Sequence, residues 1–170
     1  MITRPSRDSE FSAYVAEQRD RLLRTAYLLS GDWARAEDVT QIALSKLYLA
    51  WHRVEQSRDA YARQIVVRAA VDERRRPWRR EVSTPDHLLD AGPAREQDDL
   101  PQALVLRAAL LALPPRQRQV VVLRFYQDLS VQETAEILAV TTGTVKSTCA
   151  RALLHLNHLL SETTEDGIRR

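Results

Sequence analysis

The sequence predicts an all-α protein of two small helical modules joined by an acidic linker, and three observations carry that prediction. Apolar residues recur at helical spacing in stretch after stretch, and 44% of the chain is apolar, enough to bury a core. Glycine is scarce, at four in 170 residues, and the β-branched alternating runs expected of strands are few. One segment, "EVSTPDHLLDAGPAREQDDLP", breaks the periodicity with three prolines, a glycine and six acids. That is the composition of a linker. The expected division is a first module over residues 1–80, a linker over 81–100 and a second module over 101–170.

The first helical stretch, "SEFSAYVAEQRDRLLRTAYLL", places Phe11, Val15, Leu22, Ala26 and Leu29 on one face. Gly31 then stops it and Asp32 caps a second helix. That helix carries "AEDVTQIALSKLYLAW", with Val39, Ala43, Leu47 and Ala50 as its inner stripe. Glu37, Gln41, Leu44, Tyr48, Trp51 and His52 fall opposite. A solvated face does not normally carry Leu, Tyr and Trp together, so a partner or another helix should cover it. The third helix is "DAYARQIVVRAAVDERRR". After the linker, "ALVLRAALLAL" is a helix stopped by Pro114-Pro115, followed by "RQRQVVVLRFY" and "SVQETAEILAV".

Composition limits the function. No apolar run is long enough to cross a bilayer, and "MITRPSRDSE" lacks the apolar core of an export signal, so a cytoplasmic protein is expected. One cysteine, Cys149, excludes an internal disulfide framework. A net charge of +2 conceals an uneven distribution. Residues 58–80 hold eight arginines against Asp59, Asp72 and Glu73, whereas residues 81–100 hold six acids against Arg95. A basic block beside an acidic one suits a polyanion partner, although two solvated surfaces would look the same. His155 and His158 stand three apart without a second ligand pair, so no metal site is read there. No nucleophile motif, phosphate loop or metal constellation is present, so neither catalysis nor a cofactor is expected.

"SVQETAEILAVTTGTVKSTCARALLHL" carries the functional signal. Ser130 and Glu133 form an S-x-x-E capping box. Ala135 is small where two helices must cross closely, Ala139-Val140 close the first helix, and Thr141 can cap the second. Val145, Cys149, Ala152, Leu156 and Leu160 recur as an expected buried stripe. Gly143, Thr144, Ser147 and Arg151 point the other way, a thin, donor-rich leading face that suits the major groove. Lys146 and the helix N-terminus suit phosphate. A plain helical hairpin with a well-capped second helix would share the spacing.

The longer run "ALPPRQRQVVVLRFYQDLSVQETAEILAVTTGTVKSTCARAL" resembles region 4 of bacterial sigma factors, in particular the extracytoplasmic-function (ECF) group of the sigma-70 family. "AEDVTQIALSKLYLAW" resembles sigma region 2, and "YARQIVVRAAVDERRR" the promoter-melting helix that follows it. The resemblance covers roughly residues 10–80 and 101–160. It implies a protein, monomeric when free, that binds core RNA polymerase through the β′ coiled coil and the β flap and directs it to promoter DNA. Many members are held by an anti-sigma protein.

Carried over residue by residue, the resemblance implies polymerase contact by Glu37, Asp38, Gln41, Leu44, Tyr48 and Trp51. It implies minus-10 recognition and opening by Arg63, Gln64, Arg68, Arg74 and Arg75. Many relatives carry an asparagine where Arg68 stands, linked to capture of a flipped base, so that role does not carry over directly and the sequence leaves the minus-10 preference open. Minus-35 reading is implied for Thr141, Thr142, Thr144, Lys146, Ser147, Thr148 and Arg151, with Arg116 and Arg118 as a phosphate clamp. The acidic linker resembles the segment that these proteins thread through the RNA exit path. With "SETTEDGIRR" after the last helix, the ligand-binding C-terminal domain of some relatives is not expected. The rival reading is a stand-alone helix-turn-helix regulator, which would need self-association and a palindromic site. A helical adaptor that binds no DNA would not need the arginine cluster.

Overall fold

A computed structural model describes residues 6–73 and 101–168, and everything described is helix or short connection. The chain divides into two compact units, Met1–Pro77 and Trp78–Arg170. The expected linker, 81–100, lies outside the described residues. Among the described residues no helix is long and apolar enough to cross a membrane.

The first unit holds α1 (Arg7–Ser30), α2 (Trp33–Ala50) and α3 (Arg58–Glu73). Ser6 caps α1 by accepting from the Ser9 N–H. Gly31 ends α1 in the left-handed region (φ 77°) and donates its N–H to the Tyr27 carbonyl at 2.7 Å. A residue without Cβ adopts that conformation at no steric cost. Asp32 then caps α2, its carboxylate accepting from the Arg35 N–H at 3.0 Å. All three helices pack against one another. The core takes Leu22, Leu23, Ala26 and Leu29 from α1, Val39, Ala43 and Leu47 from α2, and Ala62, Val66, Val67, Ala70 and Val71 from α3. The expected inner stripe of α2 is buried throughout. In α1 only its later members are; Phe11 and Val15 are half-buried.

The second unit holds α4 (Pro101–Ala112), α5 (Pro115–Val121), α6 (Val131–Leu138) and α7 (Thr142–Ile168). Pro114-Pro115 does more than stop α4. Pro115 occupies the first turn of α5, where its missing N–H has no intrahelical partner to lose. A single π turn over Val122–Tyr126 ends α5 and is followed by Asp128 in the left-handed region (φ 53°). Leu113 from the end of α4, Val121 and Ala152 form one core cluster, with Leu110, Leu156 and Leu159 packed against it, and Val120, Val122, Leu123, Ala135, Leu138 and Val145 are buried as well.

Candidate nucleic-acid and polymerase interfaces

The helix-turn-helix is built by caps. The Ser130 hydroxyl accepts from the Glu133 N–H at 3.1 Å, and the Glu133 carboxylate accepts from the Ser130 N–H at 2.7 Å. α6 ends at Ala139 with φ 50°, ψ 53°. The Val140 N–H reaches the Ala135 carbonyl at 3.0 Å, and the Ala139 N–H reaches that of Glu136 at 3.3 Å. This is the paired bonding of a Schellman turn, here with a Cβ in a conformation that disfavours one. Thr141 caps α7, accepting from the Thr144 N–H at 3.1 Å. The two threonine hydroxyls lie 2.9 Å apart. Ser147 bonds back to the Thr144 carbonyl, and the Arg151 Nε donates to the Ser147 carbonyl at 3.3 Å.

The outcome is a leading face on which Thr141, Thr142, Thr144, Lys146, Ser147 and Arg151 are all exposed. Thr148 is not part of it. It is only 9% exposed, so its expected minus-35 role is corrected. The inner stripe of α7 runs Val145, Thr148, Ala152, Leu156 and Leu159, rotated from the expected one, and Cys149 is only half-buried. A spacing of three from Val145 keeps Thr148 on the inward side as well as a spacing of four keeps Cys149. His155 lies half-buried, its Nδ1 3.2 Å from the Gln117 side-chain oxygen.

The two arginines of the expected phosphate clamp separate. Arg116 is exposed. Arg118 is 5% exposed and donates from its guanidinium to the Leu111 carbonyl at 3.0 Å. The last carbonyls of a helix have no intrahelical donor, and Arg118 supplies one to α4. It is a structural cap, not a phosphate contact.

The expected polymerase face of α2 also divides. Glu37, Asp38 and Gln41 are exposed, Glu37 forming a surface ion pair with Arg19 at 3.8 Å. Leu44 is half-buried. Tyr48 and Trp51 turn toward α1. The Tyr48 hydroxyl donates to Asp8 at 2.7 Å, which raises its pKa, and the Arg7 guanidinium lies over its ring. Trp51 is 1% exposed, beneath Phe11, Tyr14 and Arg58. Trp51 is therefore core, and its expected polymerase contact is corrected. The N-terminal turns of α1 carry the complementary Arg7, Asp8, Glu10 and Phe11, the signal that one helix of this unit covers another. Two outward residues of α2 escaped the sequence reading, Ile42 at 47% and Leu49 at 81% exposed. They continue the Asp38–Gln41 side along the helix.

On α3, Gln64, Arg68 and Asp72 are exposed and Arg63 is half-buried. Arg74 and Arg75 lie outside the described residues. Burial pushes the Tyr14 phenol pKa up, and the nearby Asp59 carboxylate at the start of α3 adds to the shift. Among the described residues no cluster of three or more His, Cys, Asp or Glu could hold a metal ion.

Comparison with known proteins identifies the two units. Residues 14–80 match the model of Sigma-70 region 2 and residues 103–156 that of Sigma-70, region 4. The RNA polymerase sigma-E factor of Streptomyces coelicolor is 38% identical over 157 residues, spanning 89% of this chain and 86% of the relative. The ECF RNA polymerase sigma factor SigM of Mycobacterium tuberculosis is 34% identical over 164 residues, 94% of this chain and 82% of its own. A solved structure of the sigma factor RpoE with the anti-sigma factor NepR from Bartonella quintana shares the fold. Its TM-score is 0.59 at 24% identity, over 89% of this chain and 97% of that one. The chain is therefore a member of the ECF group of the sigma-70 family, a sigma factor of RNA polymerase that directs transcription initiation.

Proposed function

We propose a division of labour among three surfaces. The outward side of α2, with Glu37, Asp38, Gln41, Ile42 and Leu49, docks on the β′ coiled coil of core polymerase. The exposed side of α3, with Gln64 and Arg68 and the flanking Arg63, Arg74 and Arg75, binds and opens the minus-10 element. Arginine and glutamine can hold phosphate, stack on bases and bond to an unpaired base edge. The leading face of α7, with Arg116 at the start of α5 as a further phosphate contact, reads the minus-35 element. Residues 81–100 tether the two units, and the acidic charge of that segment suits a basic channel. The β flap is the expected second polymerase contact, through the region 4 unit. The protein acts in the cytoplasm, as a monomer when free, and chemistry is left to the polymerase. An anti-sigma protein, the partner of many members of the group, would act by covering one of these faces.

The observation that carries this reading is the uncovered row Thr141, Thr142, Thr144, Lys146, Ser147 and Arg151, standing over a buried stripe at a capped helix N-terminus. Such a face positions through phosphate and specifies through base edges. Selection of minus-35 sequences by reconstituted holoenzyme tests it. Lys146→Ala should weaken all sequences about equally and lower the salt slope by about one. Arg151→Ala should shift preference between sequences by roughly 1–3 kcal/mol. Identical selection profiles for wild type and Arg151→Ala would remove that residue from base reading. Asp38→Arg combined with Gln41→Ala should abolish binding to core polymerase while the helical signal persists, since both side chains stand off the core.

A further inference from the structure

The start of α3 is held by a closed polar triangle. One carboxylate oxygen of Glu10, Oε2, accepts from the Trp51 indole N–H at 3.3 Å and lies 3.6 Å from the Arg58 guanidinium. That guanidinium in turn stacks over the Trp51 ring, 3.6 Å from its centroid. Phe11 and Tyr14 close the other sides of the indole edge-on, at 5.3 and 5.5 Å. Glu10 belongs to the first turns of α1, Trp51 ends α2 and Arg58 is the first residue of α3. The three helices thus meet at one node.

Beyond the node α3 meets its neighbours through the aliphatic side chains of its buried face, with Asp59 beside Tyr14 as a further polar contact at the same end of the helix. Its buried face is Ala62, Val66, Val67, Ala70 and Val71, short side chains without hydrogen-bonding groups. Such a face resists separation, because apolar area is buried, but interlocks weakly along the axis. The connection that enters α3 is held to the end of α2 by backbone bonds, the Arg53 and Val54 N–H groups donating to the Ala50 carbonyl at 2.8 and 3.1 Å, while its side chains His52, Arg53 and Glu55 are exposed. Directional contacts at the node therefore fix the register. Gln64 and Arg68 stand about 9 and 15 Å further along the helix, so a shift at Arg58 is passed to both.

We propose that Glu10, Trp51 and Arg58 are positioning residues for promoter opening, holding α3 so that Gln64 and Arg68 meet the unpaired minus-10 strand. The proposal rests on the assignment of α3 to minus-10 opening. None of the three is placed on the polymerase-docking side of α2 or on α7, so loosening the node leaves those surfaces in place.

The test uses reconstituted holoenzyme and permanganate reactivity of minus-10 thymines on two templates, a linear duplex promoter and the same promoter already unpaired at minus-10. Glu10→Ala should cut opening of the duplex by about tenfold, the scale of removing one charge-assisted hydrogen bond. It should leave the pre-opened template within about twofold and core binding unchanged. Glu10→Gln keeps an acceptor for the indole and removes the ion pair, so it should fall between. It carries the test if the alanine variant is poorly folded by hydrogen exchange of α1–α3. Duplex opening at the wild-type level in both variants overturns the proposal, as does an equal deficit on the two templates. Gln64→Ala with Arg68→Ala separates the two layers. If that double variant opens duplex normally, the reading of α3 itself fails; if it is impaired while the Glu10 variants are not, only the node falls.

Discussion

The two units reach stability by different means. The region 2 unit is held by large side chains, with Trp51, Phe11, Tyr14 and Tyr48 packed edge to face and closed over by Arg7 and Arg58. The region 4 unit buries aliphatic side chains, Leu113, Val120, Leu123, Leu138 and Val145 among them, leaves Phe125 and Tyr126 exposed, and is shaped by backbone devices. These are a capping box, a Schellman turn, a π turn and an arginine that satisfies the end of α4. A unit built on side-chain clusters should be broken by truncation. A unit built on caps should respond to changes that alter hydrogen bonding or backbone preference while removing little volume.

The largest effect should come from Trp51→Ala. Loss of a buried indole at the junction of three helices should cost the region 2 unit about 3–5 kcal/mol. Hydrogen exchange followed helix by helix should show α1–α3 opening more easily and α5–α7 unchanged. Equal loosening of both units would end the claim that each carries its own stability.

Arg118→Ala should come next, at about 1–3 kcal/mol in the region 4 unit, because the Leu111 carbonyl loses its donor and a buried side chain is removed. Arg116→Ala sharpens the contrast. It should leave stability within about 0.5 kcal/mol and lower the salt slope of promoter binding by about one. Comparison of denaturant midpoints with salt titrations decides it. A stable Arg118→Ala protein with a reduced salt slope would return that residue to the DNA surface.

The smallest effects probe the turn itself. Ser130→Ala should destabilise α6 by about 1 kcal/mol, the usual loss for a helix cap. Ala139→Gly should do the opposite, stabilising by about 1 kcal/mol, since it relieves a left-handed residue of its Cβ. Thermal melts of the two variants should move in opposite directions. A glycine that destabilises would mean that its extra freedom in the unfolded chain outweighs the relief.

Much of this protein follows from its sequence alone. Helix starts and stops are local events, decided by a hydroxyl or carboxylate within three residues of a free N–H, so Asp32, Ser130 and Thr141 are legible as caps and Gly31 as a stop. The leading face of α7 is legible for the same reason, because it is one turn of one helix. What tertiary structure decided is which side of a helix meets another helix. Periodicity marks Leu44, Tyr48 and Trp51 as a second apolar face on α2, yet cannot say whether a polymerase or α1 covers it; the first turns of α1 cover Tyr48 and Trp51. It cannot choose between Thr148 and Cys149 for the inner stripe of α7, since spacings of three and four both return to one side of a helix. Nor can it tell an arginine that meets phosphate from one that meets a carbonyl, because both offer an anion or dipole to the same guanidinium. Arg118 turned inward because the end of α4 lay within its reach.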